Sequence, residues 1–484
     1  MVMYTSIFRL LRVLTMLFLC GWCCGVSKAE IQQRPNIIYI MADDLGYGDL
    51  GCYGQEVIQT PHIDRLASEG MRFTDHYAGH TVCRPSRLVL WLGQHVGHTG
   101  LTGNRPRSLT SKERTVARLL KESGYRTGGV GKWALGNVEG PSEIDNAGHP
   151  NRNGFDYWYG YLNQGNAHNY YPTFLWENDR QVPLPGNRID PAPAARRRVS
   201  VKRVTYSHDV ITKAAFRFIK RNRDRPFLLH IHWTIPHANN EGGRLTGNGM
   251  EVPDYGMYGD RNWPDTEKGF AAMVTRMDSD VGRLSRLLKT LEIDDKTLVI
   301  FTSDNGPHNE GGHKHEFFNS NGGLKGFKRS MHEGGIRVPM IARWPGEIAA
   351  GKIADHPSGF YDFLPTACEL AGISPPEGID GMSYLPTLLG QSDHQKKHEY
   401  LYCESLEGAT SVGVRFGDWK LVKYRQKKDA TKLPSNDKGV WRLYDLAHDR
   451  GETNDLSVQH PRIVKHIVNL LKRDDLHDNG SRNQ

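Results

Sequence analysis

Cysteine is scarce in this chain, with seven in 484 residues. Three of them, Cys20, Cys23 and Cys24, crowd the N-terminus. The four that remain, Cys52, Cys83, Cys368 and Cys403, are too few for a disulfide framework. One bridge is possible, and at least one thiol is left for another task. Internal repeats and low-complexity tracts are absent. The 52 glycines and 25 prolines follow no period, which excludes collagen and suggests a loop-rich enzyme. Neither sign of charge dominates: 62 basic residues face 54 acidic ones, for a formal +8. Hydrophobic residues make up 38% and charged residues 24%, enough for a large core and against wholesale disorder. At about 100–200 residues per domain the length allows several domains, or one large domain with an appendage.

Long apolar runs are also missing. The one near the start, Val13 to Leu19, follows Arg9 and Arg12 and precedes Ser27-Lys28-Ala29. It is shorter than the roughly 20 residues of a spanning helix and has the plan of a secretory signal cleaved near Ala29. None of the three early cysteines follows a lipobox. The expectation is a secreted or periplasmic protein with no membrane segment after residues 1–29 are removed. Losing Arg9, Arg12 and Lys28 takes the formal charge from +8 to +5. That mild excess suits an anionic substrate; nothing calls for nucleic acid.

Several apolar, β-rich runs end in polar residues. Asn36 to Met41 leads into Asp43-Asp44, and Tyr125 to Val130 leads to Lys132. Pro226 to Ile231 leads towards His237, and Thr297 to Phe301 into Asp304-Asn305. Continuous apolar runs of this kind predict strands buried on both faces. Helical patterns lie between them at Pro61–Glu69, Thr115–Lys121 and Val281–Leu291. The alternation predicts an α/β architecture whose ligands bind beyond the C-terminal strand ends, where all four polar clusters fall. Past Pro375-Pro376 the pattern changes to shorter pieces at Val412–Phe416, Trp419–Tyr424 and Trp441–Leu446. These predict a small C-terminal domain with an antiparallel sheet, over residues 390–484, after a catalytic domain over 30–389.

Asp43-Asp44 and Asp304-Asn305 are oxygen-rich pairs, suited to Ca²⁺ or Mg²⁺ rather than zinc. Either pair alone could equally be a helix cap or a turn. Cys83-Arg84-Pro85-Ser86-Arg87 is the sharpest signal. Pro85 can open a helix, placing Cys83 and Arg87 near its positive end. The plainer reading is a partly buried Cys before an ordinary helix.

Cys83-Arg84-Pro85-Ser86-Arg87 resembles the signature of type I sulfatases, in which the Cys becomes formylglycine after translation. Met41-Ala42-Asp43-Asp44-Leu45-Gly46-Tyr47-Gly48-Asp49 and Ser303-Asp304-Asn305-Gly306 are similar to the family's two metal motifs. Lys328 with Glu333-Gly334-Gly335-Ile336-Arg337-Val338-Pro339, Gly417-Asp418-Trp419-Lys420-Leu421 and Leu443-Tyr444-Asp445-Leu446 resemble later blocks, so the likeness runs over about residues 34–456. It implies an alkaline-phosphatase-like α/β fold, a large mixed sheet sandwiched by helices, with a smaller C-terminal α+β domain. It implies further that a formylglycine-generating enzyme converts Cys83, that the hydrated aldehyde attacks sulfur, and that Ca²⁺ (or Mg²⁺) is held by Asp43, Asp44, Asp304, Asn305 and residue 83. Arg87, Lys132 and Lys328 would neutralise the sulfate oxygens, and His237 would protonate the departing oxygen.

The chain departs from the family pattern twice. Ala134, in Gly131-Lys132-Trp133-Ala134-Leu135-Gly136, stands where the family has a His that deprotonates the sulfated hydrate. Trp91-Leu92-Gly93-Gln94 replaces Leu-Thr-Gly-Arg. His308 and His313, near His315, could bind substrate or replace the missing base; exposed loop histidines are the alternative. His168, in Asn166-Ala167-His168-Asn169-Tyr170-Tyr171, sits in a segment that could bind sugar or simply pack. Arg196-Arg197-Arg198 with Lys202-Arg203 could guide a polyanion; the favoured reading is a solvated basic loop. The expected function is hydrolysis of sulfate esters on a sulfated carbohydrate, with polysaccharide degradation of the galactan type suspected. The alternatives are a catalytically impaired sulfated-glycan-binding relative and a phosphatase or phosphodiesterase of the same superfamily.

Overall fold

The computed structural model describes residues 34–110, 112–136, 147–189, 199–425 and 439–476. The expected secretory signal and the Arg196-Arg197-Arg198 run lie outside the described residues.

The apolar runs form the centre of one large sheet. Its order is Lys352–Ala354, Met71–Tyr77, Arg337–Arg343, Thr297–Ser303, Asn36–Asp43, Phe227–Pro236, Arg126–Lys132, Tyr157–Tyr161, Phe174–Glu177 and Arg180–Pro183. The strands from Thr297–Ser303 to Tyr157–Tyr161 are mutually parallel. Arg337–Arg343 is antiparallel to both of its neighbours, and Phe174–Glu177 to both of its own, so the sheet is mixed. The expected α/β class is the one observed.

Asn36–Asp43 is buried along its whole length, as a strand covered on both faces must be. Successive side chains alternate between the faces. Ile38, Ile40 and Ala42 join the core that includes Ala214 and Phe218 of the helix Ser207–Asn222 and Phe270 and Val274 of the helix Asp265–Thr290. Tyr39 points the other way and meets Phe363 at 4.5 Å between ring centroids. On that side the helices Cys83–Leu92, Val116–Glu122 and Phe363–Leu370 pack together.

The expected helix over Val281–Leu291 is the second half of one 26-residue helix, Asp265–Thr290. Its periodicity is masked by buried acids on the packed face. Asp278 Oδ1 accepts the His62 and Ile63 amides at 2.9 and 2.7 Å, so it caps the helix Pro61–Ser68. Asp280 Oδ2 lies 2.8 Å from His208 Nε2.

A four-stranded antiparallel sheet follows, Leu401–Glu404, Thr410–Phe416, Trp419–Tyr424 and Val440–Asp445. It contains the expected short strands and adds Leu401–Glu404. Cys52, Cys83, Cys368 and Cys403 are all free, so the bridge that the cysteine count allowed is not formed. Among the described residues, no helix is long and apolar enough to cross a membrane.

Buried ion pairs join the two sheets. Glu333 accepts from Lys420 Nζ at 2.8 Å, Tyr77 Oη at 2.7 Å and Arg337 Nη1 at 3.1 Å. Arg415, from the small sheet, donates to Tyr77 Oη at 2.6 Å and also pairs with Asp75. Removing one partner of a buried pair leaves an uncompensated charge. Lys420→Ala should therefore destabilise the fold by about 3–5 kcal/mol, read as a lowered denaturant midpoint. Lys420→Met in a Glu333→Gln background should recover much of that loss.

Candidate active site

Adjacent parallel strands end together, and each end leads into residues that could do chemistry. Asn36–Asp43 delivers Asp43 and Asp44, and Thr297–Ser303 delivers Asp304 and Asn305. Phe227–Pro236 delivers His237 and Arg126–Lys132 delivers Lys132. Ligands bind at this carboxyl edge in sheets of the type. Arg337–Arg343 runs the opposite way, so the chain before it, with Lys328, arrives from the same side.

Cys83 opens the helix Cys83–Leu92, every residue of which is buried. Pro85 lies in the first turn, where its missing N–H costs no helical bond. Arg87 is one turn on and shares the Cys83 face. Ser86 Oγ instead accepts the Gly79 amide at 3.0 Å, fixing the loop before Cys83. Gly131 has φ 98°, and a Cβ there would sit 1.8 Å from the His232 carbonyl oxygen. Only glycine allows Lys132 to follow so close to the neighbouring strand.

Asp43 and Asp44 flank the thiol, with Cys83 Sγ 3.1 Å from Asp43 Oδ1 and 3.7 Å from Asp44 Oδ1. Lys132 Nζ donates to Asp43 Oδ2 at 2.6 Å, and Lys328 Nζ to Asp44 Oδ2 at 2.7 Å. Arg87 reaches Asp304 Oδ2 through Nε at 3.1 Å and Nη2 at 2.8 Å, and the Lys132 carbonyl through Nη1 at 2.9 Å. Asn305 Nδ2 donates to Asp44 Oδ1 at 2.7 Å. All these side chains are buried.

The electrostatics follow from that packing. Burial works to raise the Asp43 carboxyl, but Lys132 and the neighbouring cations hold it well below the usual carboxylate range. Burial, with Asp43 beside it, pushes Asp304 up to about 7. Burial, then Asp304 and Asp43, raises the Cys83 thiol well above its ordinary value, which suppresses the thiolate. Burial, then the Lys328 ammonium, lowers His237 to about 3. The ring is therefore neutral: Nδ1–H donates to the Ala238 carbonyl at 2.6 Å, and Nε2 accepts from Lys328 Nζ at 3.3 Å.

Asn305 Oδ1 is buried without a hydrogen-bond partner. With the carboxylates of Asp43, Asp44 and Asp304 it completes an all-oxygen donor set, which fits a hard divalent cation. Cys83, Asp43, Asp44 and His237 place one ligand atom each within 4.8 Å of one another.

The structure thus gathers Asp43, Asp44, Cys83, Arg87, Lys132, His237, Asp304, Asn305 and Lys328 in one place. His168 joins them, stacked on His237 at 4.8 Å between centroids and bonded through Nδ1 to Glu241 at 3.0 Å. His308 lies nearby but has both nitrogens engaged, Nε2 with the Pro236 carbonyl at 3.1 Å and Nδ1 with the Glu310 amide at 3.0 Å. His313 is packed elsewhere: its ring stacks on Phe270 at 3.8 Å, and Nδ1 meets Glu267 at 2.6 Å. Neither is an exposed loop histidine. Tyr170 and Tyr171 are buried too, so in their segment packing wins over sugar contact. Tyr170 Oη donates to the Thr234 carbonyl at 2.8 Å and also to the His237 carbonyl.

Sequence reasoning missed Glu310, whose carboxylate lies 3.1 Å from Lys328 Nζ, 2.6 Å from Arg329 Nη1 and 3.7 Å from His237 Nε2. An acid five residues beyond the Asp304-Asn305 pair was its only sequence trace. Glu241 was missed for the same reason, lying in a segment without a pattern.

A family model described as "Sulfatase" matches residues 35–373, and one described as "N-sulphoglucosamine sulphohydrolase, C-terminal" matches residues 323–477. The chain belongs to the sulfatase family. It is 33% identical to steryl-sulfatase of Homo sapiens, over 82% of this chain and 76% of that protein. It is 29% identical to N-acetylgalactosamine-6-O-sulfatase of Bacteroides thetaiotaomicron, over 92% of this chain and 94% of that protein. The solved structure of Ps i-CgsB in complex with k-i-k-neocarrahexaose superposes with a TM-score of 0.74 at 28% identity, covering 93% of this chain and 94% of that one. The protein is a sulfuric ester hydrolase of the type I sulfatase class, which in general uses a formylglycine and a divalent metal.

Metal binding should be measurable without turnover. Adding Ca²⁺ or Mg²⁺ to sulfatase stripped with EDTA should raise its unfolding temperature. A hundredfold excess over Kd corresponds to about 2.7 kcal/mol. Asp304→Ala should abolish the response, whereas an unchanged midpoint in the wild-type protein would overturn the assignment.

Proposed function

We propose that this sulfatase, once exported, removes sulfate from a sulfated carbohydrate of galactose type. The working site would comprise formylglycine derived from Cys83 and Ca²⁺ (or Mg²⁺) on Asp43, Asp44, Asp304 and Asn305. The observation that carries the substrate reading is the hydrogen-bonding rim around His237. His168 is tied to Glu241, and Asn240 Nδ2 donates to Glu310 at 3.0 Å. Such a rim suits an alcohol flanked by other hydroxyls, whereas a sterol needs an apolar wall. The near end-to-end match to an N-acetylgalactosamine-6-O-sulfatase and the neocarrahexaose complex of Ps i-CgsB support the same reading.

Formylglycine would supply the attacking oxygen, and the cation would act as Lewis acid at the sulfate. The chain's own residues account for the rest. Arg87, Lys132 and Lys328 surround residue 83 with fixed positive charge, set to stabilise the transferring group. His237 Nδ1 is pinned to the Ala238 carbonyl, so Nε2, unprotonated at rest, is the atom that takes up a proton and relays it to the departing sugar oxygen. Lys328 Nζ, 3.3 Å away, can resupply that nitrogen. Of the two suspects for the base missing at Ala134, His308 has both nitrogens engaged, and His313 is stacked on Phe270 with Nδ1 held by Glu267. Water takes that proton in this reading.

Ala134 has φ 70°, a region that histidine occupies more readily than most non-glycine residues. Ala134→His should therefore be accommodated and should raise kcat towards the 10²–10⁴-fold typical of a positioned base, with KM nearly unchanged. Protein matured by the formylglycine-generating enzyme should release inorganic sulfate from sulfated galactans but not from heparin or aryl sulfates, and Cys83→Ala should release none. The reverse preference would refute the galactan assignment. Preferential hydrolysis of phosphate esters would refute the sulfatase mechanism.

A further inference from the structure

We propose a second metal site, for a borderline transition ion of the Zn²⁺ class, formed by His95, His98 and Asp380 beyond the far end of the helix that carries Cys83 and Arg87. His95 and His98 flank the start of the short helix Val96–Thr99. Their rings stack at 4.4 Å with 21° between planes, and both turn a nitrogen towards one carboxylate. His98 Nδ1 lies 2.8 Å from Asp380 Oδ1, and His95 Nε2 lies 3.7 Å from the same oxygen. A tetrahedral ion with bonds of about 2.0–2.2 Å holds its ligand atoms about 3.3 Å apart. The two observed separations straddle that value, and the three ligand atoms lie within 4.8 Å of one another.

Hydrogen bonding does not explain His95. Its Nε2 is too far from Asp380 for a hydrogen bond, and its Nδ1 is buried without a partner. The side chain is only 9% exposed, so an imidazole has been packed into protein with its polar edge facing this cluster. The ligands are also held in advance. Asp380 Oδ2 accepts the His95 amide at 2.8 Å, and the Asp380 and Gly381 amides donate to the Gly93 carbonyl at 2.9 and 3.1 Å. Gln94 Nε2 bonds the Gly378 carbonyl at 2.8 Å. Tyr402 packs against the His95 ring at 5.2 Å. His98 is 40% exposed, which leaves a fourth coordination position for water.

The donor set separates this site from the catalytic one. Two imidazoles and a carboxylate suit zinc, whereas the oxygen set of Asp43, Asp44, Asp304 and Asn305 suits calcium or magnesium. A bound ion would tie the segment after Gly93 to the Asp380 loop. It would anchor the nucleophile helix from behind without touching substrate.

The test uses the full chain, stripped with EDTA and then saturated with Ca²⁺ to fill the oxygen site. Calorimetric titration with Zn²⁺ should show one ion per chain. His98→Ala and Asp380→Asn should each weaken it by at least about tenfold, the lower end of what losing even an outer partner of a metal ligand costs. Zinc binding that is absent, or equally tight in both variants, would overturn the proposal. Should the variants fail to fold, anomalous scattering from zinc-soaked wild-type crystals decides. A peak between His95, His98 and Asp380 supports the site, and a peak found only at the Cys83 cluster overturns it.

Discussion

Three carboxylates and three cations are buried together where neighbouring strands end, and the rest of the structure is organised around keeping them there. Asp43, Asp44 and Asp304 repel one another, while Arg87, Lys132 and Lys328 bond to them directly. Charges out of water are costly unless each is paired in good geometry. The sheet supplies that geometry, because adjacent parallel strands hold Asp43, Lys132, His237 and Asp304 in fixed register. Covering both faces of the sheet keeps water out and strengthens every interaction at its edge. The same balance suits a monoanionic sulfate ester approaching a metal ion: the cations would face the sulfate, and the oxygens the metal.

The most legible parts of the sequence were those where one physical signal dominated. Asn36–Asp43 and Thr297–Ser303 are continuous apolar runs ending in acids, and the structure makes them adjacent parallel strands. Pro85 pointed to a helix with Cys83 and Arg87 near its positive end, and the helix found is Cys83–Leu92. Met71–Tyr77 escaped, because it mixes half-buried and buried positions along an outer part of the sheet. Arg337–Arg343 begins and ends in arginines that are buried against Asp75, Glu333, Glu69 and Asp294, which disguises a fully buried strand. Long-range polar pairs explain most of what was missed. Glu310 and Glu241 gain meaning only when folding brings them to Lys328 and His168, and no local pattern encodes those meetings.

Glu310 shows how such a pair can matter to the chemistry. It sits against Lys328 and Arg329, and it approaches Nε2 of His237, whose ring stacks on His168. Its carboxyl is pulled well below its ordinary range, chiefly by Lys328 and also by Arg329, working against burial. The acid therefore stays charged, and it shares the Lys328 ammonium with Asp44. That division limits how strongly Lys328 opposes protonation of His237, the condition on which the proposed proton delivery to a leaving oxygen depends.

Ala134 bears on the same proposed proton traffic. Its backbone adopts a left-handed conformation that costs an alanine roughly 1–2 kcal/mol, so the surroundings must impose it. They do: Arg84 Nε donates to the Ala134 carbonyl at 2.9 Å, and Trp133 before it is wedged among Trp91, Phe155 and Trp158. The conformation is thus set by the neighbours and does not depend on the side chain at 134. Replacing histidine by alanine removes a proton acceptor while leaving the loop, Lys132 and Arg87 where they are. On the proposed mechanism the substitution alters the rate of one proton transfer and leaves in place the architecture proposed to bind and polarise the sulfate.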